Sequence, residues 1–299
     1  MSFRNGIKAA LAAVLLAGCA NAPEKQEIKA LVPTGAPALA MYMGTLDNAD
    51  VTLDYTQGTD LLTAELAKED GEYDVIVAPV NLGLKTYEAN PVYQCAGVLT
   101  WGNLYMVGKD EEVLSNPAAE VAAFGEGAIP GMVFNSVQAE DIAGNVTWYP
   151  SVAEAQQALL AGKADAALLA EPAVSAATAK DDSLKVISDL QTLWKDKEGS
   201  ERTGYPQAAV FVKESVSDDF ITGLAEALDA VNVKEQSEEM VQEIEDADPE
   251  KLGVPSAQIA VKSWPGQNIH FVRAADARAD VETFLKKMNM TIPEGSFRD

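Results

Sequence analysis

The stretch VAEAQQALLAGKADAALLAEPA, Val152 to Ala173, carries helix, turn and strand in one short run. Ser151 precedes it as an N-cap and Glu154 follows at the capping-box spacing, so Val152 to Leu160 reads as a helix. Gly162 breaks it, and Ala164 to Ala170 is an apolar run of strand length that stops at Glu171-Pro172. A helix, a short strand and a carboxylate at the strand's end make one unit of an α/β layer.

The same alternation extends outward in both directions. Upstream, Asn145 to Tyr149 and Glu120 to Phe124 read as strands, Gly125 to Gly131 as a loop and Met132 to Ile142 as a helix. Near the start, Ile28 to Val32, Val51 to Tyr55 and Tyr73 to Ala78 are strands, each closed by a turn and followed by a helical segment. Three such units predict a parallel sheet with right-handed crossovers. The pattern breaks at Ala96 to Val107 (AGVLTWGNLYMV), an extended run that carries the chain from one lobe to another, and Tyr205 to Val212 carries it back. Asp218 to Val231, the acidic Ser237 to Asp246 and Ala277 to Met288 are helices that complete the first lobe. The expected fold class is therefore α/β and two-lobed, each lobe a mainly parallel sheet flanked by helices, with a ligand cleft at the hinge.

The first residues read as an export signal. Arg4 and Lys8 precede an apolar run from Ile7 to Leu16, too short to span a bilayer as a helix. Leu16-Ala17-Gly18-Cys19 resembles a bacterial lipobox, in which the peptide is cut before the cysteine and Cys19 is acylated. Residues 1–18 are then a lipoprotein signal peptide and 19–27 a lipidated tether, which places the protein outside the cytoplasm and anchored to the membrane. With Cys19 lipidated, Cys95 is a single buried core cysteine and no intramolecular disulfide forms. The 46 acidic residues outnumber the 22 basic ones, for a net charge of −24, which argues against nucleic acid as a partner.

The sole histidine is His270, in the extended run NIHFV, where it reads as a strand residue. A His-based metal site and an HExxH helix are thereby excluded, and no G-x-S-x-G, P-loop or GxGxxG follows a strand. The expectation is a protein without catalytic residues, metal or cofactor. Ligands of open α/β sheets bind beyond the carboxyl ends of strands, against helix N-termini. The candidates in such positions are Thr34, Gly35, Ala36, Gly58, Thr59, Asn81, Pro130, Gly131, Tyr149 and Glu171. On the crossing segments Asn103 can donate and accept, while Trp101 and Tyr205 can stack on a planar ligand. Turn and capping chemistry or core packing is the alternative for each. No arginine falls in these turns, which disfavours a strongly anionic ligand.

Together LVPTGAPALAMY, YDVIVAPVNLG, LTWGNLYMV, FGEGAIPGMVF, the stretch from Val152 to Ala173 and NIHFVRAADARADVETFL resemble the substrate-binding lipoproteins of the NitT/TauT-like branch of ABC importers, over nearly the whole exported chain. That resemblance implies a type II periplasmic-binding fold, a small organic solute enclosed at the hinge, an ABC permease as membrane partner, and a monomer. The lobes it implies are 28–105 and 206–299 for the first and 106–205 for the second. Its ligands range over sulfonates, oxyanions, pyrimidine precursors and aromatic compounds, so the solute is left open. Two other readings share the scaffold: a small-molecule lyase or dehydratase, against which the export signal argues, and a surface lipoprotein that senses a solute.

Overall fold

The computed structural model describes residues 27–233 and 237–298. The signal peptide, Cys19 and all of the tether except Glu27 lie outside the described residues.

The chain opens with β1 (Ile28–Pro33), α1 (Ala36–Thr45), β2 (Val51–Thr56), α2 (Asp60–Leu66), β3 (Val75–Pro79), α3 (Val80–Ala89) and β4 (Gln94–Thr100). It continues with β5 (Leu104–Gly108), the single turn α4 (Glu112–Ser115), β6 (Glu120–Phe124), α5 (Ile129–Val137), β7 (Asn145–Tyr149), α6 (Val152–Leu160), β8 (Ala166–Ala170), α7 (Ala173–Lys180), β9 (Lys185–Asp189) and α8 (Leu190–Glu198). It ends with β10 (Ala208–Val212), α9 (Asp218–Val233), α10 (Glu238–Asp246), the short α11 (Pro249–Leu252), α12 (Ala257–Ser263), β11 (Ile269–Arg273) and α13 (Ala274–Lys286).

Two sheets flanked by helices result. The first has the order β11-β4-β10-β3-β1-β2 and the second β7-β6-β8-β5-β9. Strands β1, β2 and β3 are parallel, as the three strand–turn–helix units predict. The returning strand β10 then wedges antiparallel between β3 and β4, and β11 pairs antiparallel with β4. In the second sheet β6, β7 and β8 are parallel, whereas β5 runs antiparallel between β8 and β9. Each sheet is thus mixed, because the strand that follows each crossing enters it from the opposite end. Burial tracks position: β10 (AAVFV), between two neighbours, is buried along its whole length, and β2 (VTLDYT), at the edge, is not.

The long extended run expected over Ala96 to Val107 is in fact two strands in different sheets. Only Trp101 to Asn103 crosses, because Gly102 at φ 85° turns the chain there. The loop expected over Gly125 to Gly131 is shorter too, since α5 starts at Ile129 and Pro130 fits its first turn. The two crossings run side by side. Tyr205 N donates to Trp101 O at 3.1 Å and Gln207 N to Thr100 O at 2.9 Å. Gly204, at φ 97°, is where they touch: a Cβ there would lie 1.9 Å from Trp101 O. Trp194, Tyr205 and Phe284 fill the joint, with ring centroids 5.5 to 5.8 Å apart. Such pairs add about 1 kcal/mol each beyond the burial itself.

Candidate functional site

Between the sheets lies a cleft of about 580 Å³. It opens at the carboxyl ends of the parallel strands: Pro33 at the end of β1 with Thr34 after it, Gly58 and Thr59 after β2, Pro79 at the end of β3, Phe124 at the end of β6, and Ala170 at the end of β8 with Glu171 after it. The antiparallel strands contribute their first residues, Leu104 of β5 and Ala208 of β10. One topological fact therefore brings residues spread from Pro33 to Ala208 into one wall.

Four helices point their N-termini at this space, and none is closed by a side chain. They are α1 behind Gly35, α2 behind Thr59, α3 behind Pro79 and α5 behind Ala128. Several helix starts elsewhere are capped by side chains: Ser151 accepts from Glu154 N, Asp189 from Gln191 N and Thr192 N, Ser237 from Met240 N and Ser256 from Ile259 N, whereas α4 and α13 are not. An uncapped helix start leaves N–H groups and a positive dipole end for another acceptor. The α1 start is fixed from far along the chain, since Gly35 N donates to Leu252 O at 2.7 Å.

Glu171 is the ionisable residue of the wall. Burial pushes its carboxyl above the ordinary glutamate range; hydrogen bonds from Ser175 and the charge of Lys262 oppose that. Ser175 N donates to Oε2 and Ser175 Oγ to Oε1, both at 2.9 Å, so the carboxylate also caps α7. Asn103, only 5% exposed, is tied to the same strand end. Its Nδ2 donates to Glu171 O at 3.0 Å, and its Oδ1 accepts from Gln207 Nε2 at 3.3 Å. Asn81 differs: its Oδ1 is buried and has no hydrogen-bond partner. Thr34, Thr59 and Gln207 add polar groups to the wall, and Leu62, Leu82, Leu104, Phe124 and Ile129 make its large apolar part. Beside Glu171, the hydroxyl of Tyr105 on β5 donates to Gly266 O at 2.8 Å and bridges the two halves.

Of the residues singled out in the sequence, Thr34, Gly35, Ala36, Gly58, Thr59, Asn81, Asn103, Pro130 and Glu171 line the cleft. Trp101 and Tyr205 do not. Both are fully buried: Trp101 stacks on His270 with centroids 5.4 Å apart, and Tyr205 stacks on Phe284. Gly131 packs beneath the turn before α5, its N–H donating to Gly125 O at 2.9 Å. Tyr149 lies on a separate surface groove with Glu154 and Lys163. Phe124 and Gln207 line the cleft without having been singled out; the strand-end position of Phe124 before Gly125 is the signal that marks it.

No protein-family model matches the sequence, and no curated protein sequence does. Solved structures do. An ABC transporter protein from Parabacteroides distasonis superposes with a TM-score of 0.75 at 23% identity, over 92% of this chain and 99% of that one. The periplasmic aliphatic sulphonate binding protein SsuA from Escherichia coli gives 0.63 at 14% identity, over 92% and 93%. A ligand-binding component of an ABC-type import system from Staphylococcus aureus gives 0.58 at 11%, over 92% and 97%. The fold is the periplasmic-binding fold. The two sheets are its two lobes, and the cleft lies between them where the chain crosses. Among the described residues no cluster of three or more His, Cys, Asp or Glu is placed to hold a metal ion, and no helix is long and apolar enough to cross a membrane.

Proposed function

We propose that the protein is an extracytoplasmic solute-binding protein, anchored through lipid on Cys19, that captures a small organic solute and delivers it to an ABC permease of the NitT/TauT-like branch. The observation that carries this reading is the convergence of uncapped helix starts from both lobes, with Glu171, on one cleft of about 580 Å³. That volume falls in the range of small-molecule sites. The likeness to binding components of importers supports it.

In this reading the lobes divide at the two crossings, close to residues 105 and 205, and the protein acts as a monomer. Closure is a hinge motion at Trp101–Asn103 and at the return crossing. The solute meets Thr34, Gly35, Ala36 and Asn81 from one side and Pro130 and Glu171 from the other. A thermal-shift screen of the purified protein against small organic metabolites, with scattering to follow compactness, tests it. A stabilising solute that also makes the protein more compact is the expected result. A protein that no solute stabilises, and that releases no small molecule on denaturation, is not a solute-binding protein. Replacing Cys19 by serine should release the protein from the membrane fraction.

A further inference from the structure

Two acceptors in the cleft have hydrogen-bonding capacity that the protein does not fill. Asn81 Oδ1 is buried and unpartnered. Each carboxylate oxygen of Glu171 accepts one hydrogen bond, from Ser175, and an ionised carboxylate accepts more. Asn103, by contrast, is already engaged through both its amide nitrogen and its oxygen. A buried acceptor without a donor is a standing cost, and in a binding cleft the occupant removes it. No lysine, arginine or histidine lines the cleft. The nearby charge of Lys262 acts on Glu171 from outside that lining and leaves the cleft side of the carboxylate without a cationic partner.

Accepting the solute-capture reading, we infer that the captured solute is a hydrogen-bond donor: a neutral or cationic organic molecule with an N–H or ammonium head for Glu171 and Asn81 and an apolar body, not an oxyanion. The apolar wall of Leu62, Leu82 and Phe124 takes the body. The helix starts of α1, α3 and α5 then face acceptor atoms elsewhere on the molecule, such as a carbonyl or ring nitrogen. A sulfonate or carboxylate head would satisfy the helix starts but offer nothing to Asn81 Oδ1, and it would share a low-dielectric cleft with the Glu171 carboxylate.

The test is calorimetric titration of the purified protein with four probes that share one ring and differ only in the head: benzylamine, benzamide, benzenesulfonate and benzoate. Mass spectrometry of whatever the protein releases on denaturation accompanies it. Benzylamine or benzamide should bind at least tenfold more tightly than both anions. Glu171→Gln should weaken benzylamine more than benzamide, and Asn81→Ala should weaken benzamide. Unliganded melting temperatures near that of the wild type show that each variant folds. Should either anion bind more tightly than both donor probes, or should a released molecule lack any N–H or ammonium group, the donor class is overturned while solute capture stands. Silence from all four probes together with no released molecule overturns solute capture itself. Silence with a released molecule that carries a donor head supports the class.

Discussion

Arg202 and Asp280 form an ion pair at 2.8 Å across the joint between the lobes, and the Asp280 side chain is wholly buried. The same carboxylate accepts from Ser200 Oγ at 2.7 Å and Glu201 N at 2.8 Å, and the guanidinium lies over the Trp101 ring at 5.6 Å. One acid thus fixes the return crossing to α13. Asp280→Ala should cost about 3 kcal/mol, the usual range for breaking a buried pair. Urea unfolding measures it; a loss below about 1 kcal/mol would show that the joint is held by its aromatic packing alone.

Gly204→Ala should be severely destabilising. The residue sits at φ 97°, and its Cβ would meet the Trp101 carbonyl, which is backbone and cannot rotate away. A loss of at least about 2 kcal/mol is expected, or roughly 5 °C in melting temperature. At Gly199, also left-handed but with open space around the Cβ position, alanine should cost less. Equal losses at the two sites would mean that the contact between crossings carries no stability.

The pH dependence of stability follows from Glu171. Burial raises its carboxyl pKa in the folded chain, so the folded state holds that proton to higher pH than the unfolded state does. Its contribution is therefore fully present below the unfolded value and is lost as pH rises through the folded one. The stability of the wild type relative to Glu171→Gln should increase on acidification through the window just above the ordinary glutamate pKa. Urea titrations of both proteins across that window decide it, and a flat difference would show that Ser175 already compensates the burial.

Cys95 should be inert. Its side chain is fully buried and burial pushes the thiol up to about 12, far from the thiolate form that reacts. In the chain from Ala20 onward, a thiol-specific chromogenic reagent should react only as fast as the fold opens. Immediate stoichiometric reaction under native conditions would contradict the packing of β4.

Much of the architecture was legible because periodicity and capping are local. Ser151 and Glu154 do form the cap that their spacing announces, with Glu154 N donating to Ser151 Oγ at 3.3 Å. Residues at strand ends reach the cleft because topology, not side-chain detail, delivers them there. The aromatics of the crossings were illegible in this respect. A position near the hinge does not say which way a ring faces, and Gly102 turns the chain so that Trp101 packs against His270. The segment from α7 to α8 also escaped notice, since AVSAATAK lacks an apolar stripe and KVISD is a half-exposed strand whose pattern is weak.

The bond from Gly35 to Leu252 has a consequence for the order of assembly. The first turn of α1 is an element of the earliest part of the chain, yet the residue that holds it arrives more than two hundred positions later. Gly253 packs its backbone against Thr34 at the same point. Such a distant contact is paid for late in folding. A nascent or truncated chain that ends before this contact can form both sheet cores in part but has no finished floor on which a solute could rest. If the proposed solute capture holds, a chain that stops short of Leu252 should bind no solute, because the floor of the cleft at the α1 start is not yet in place.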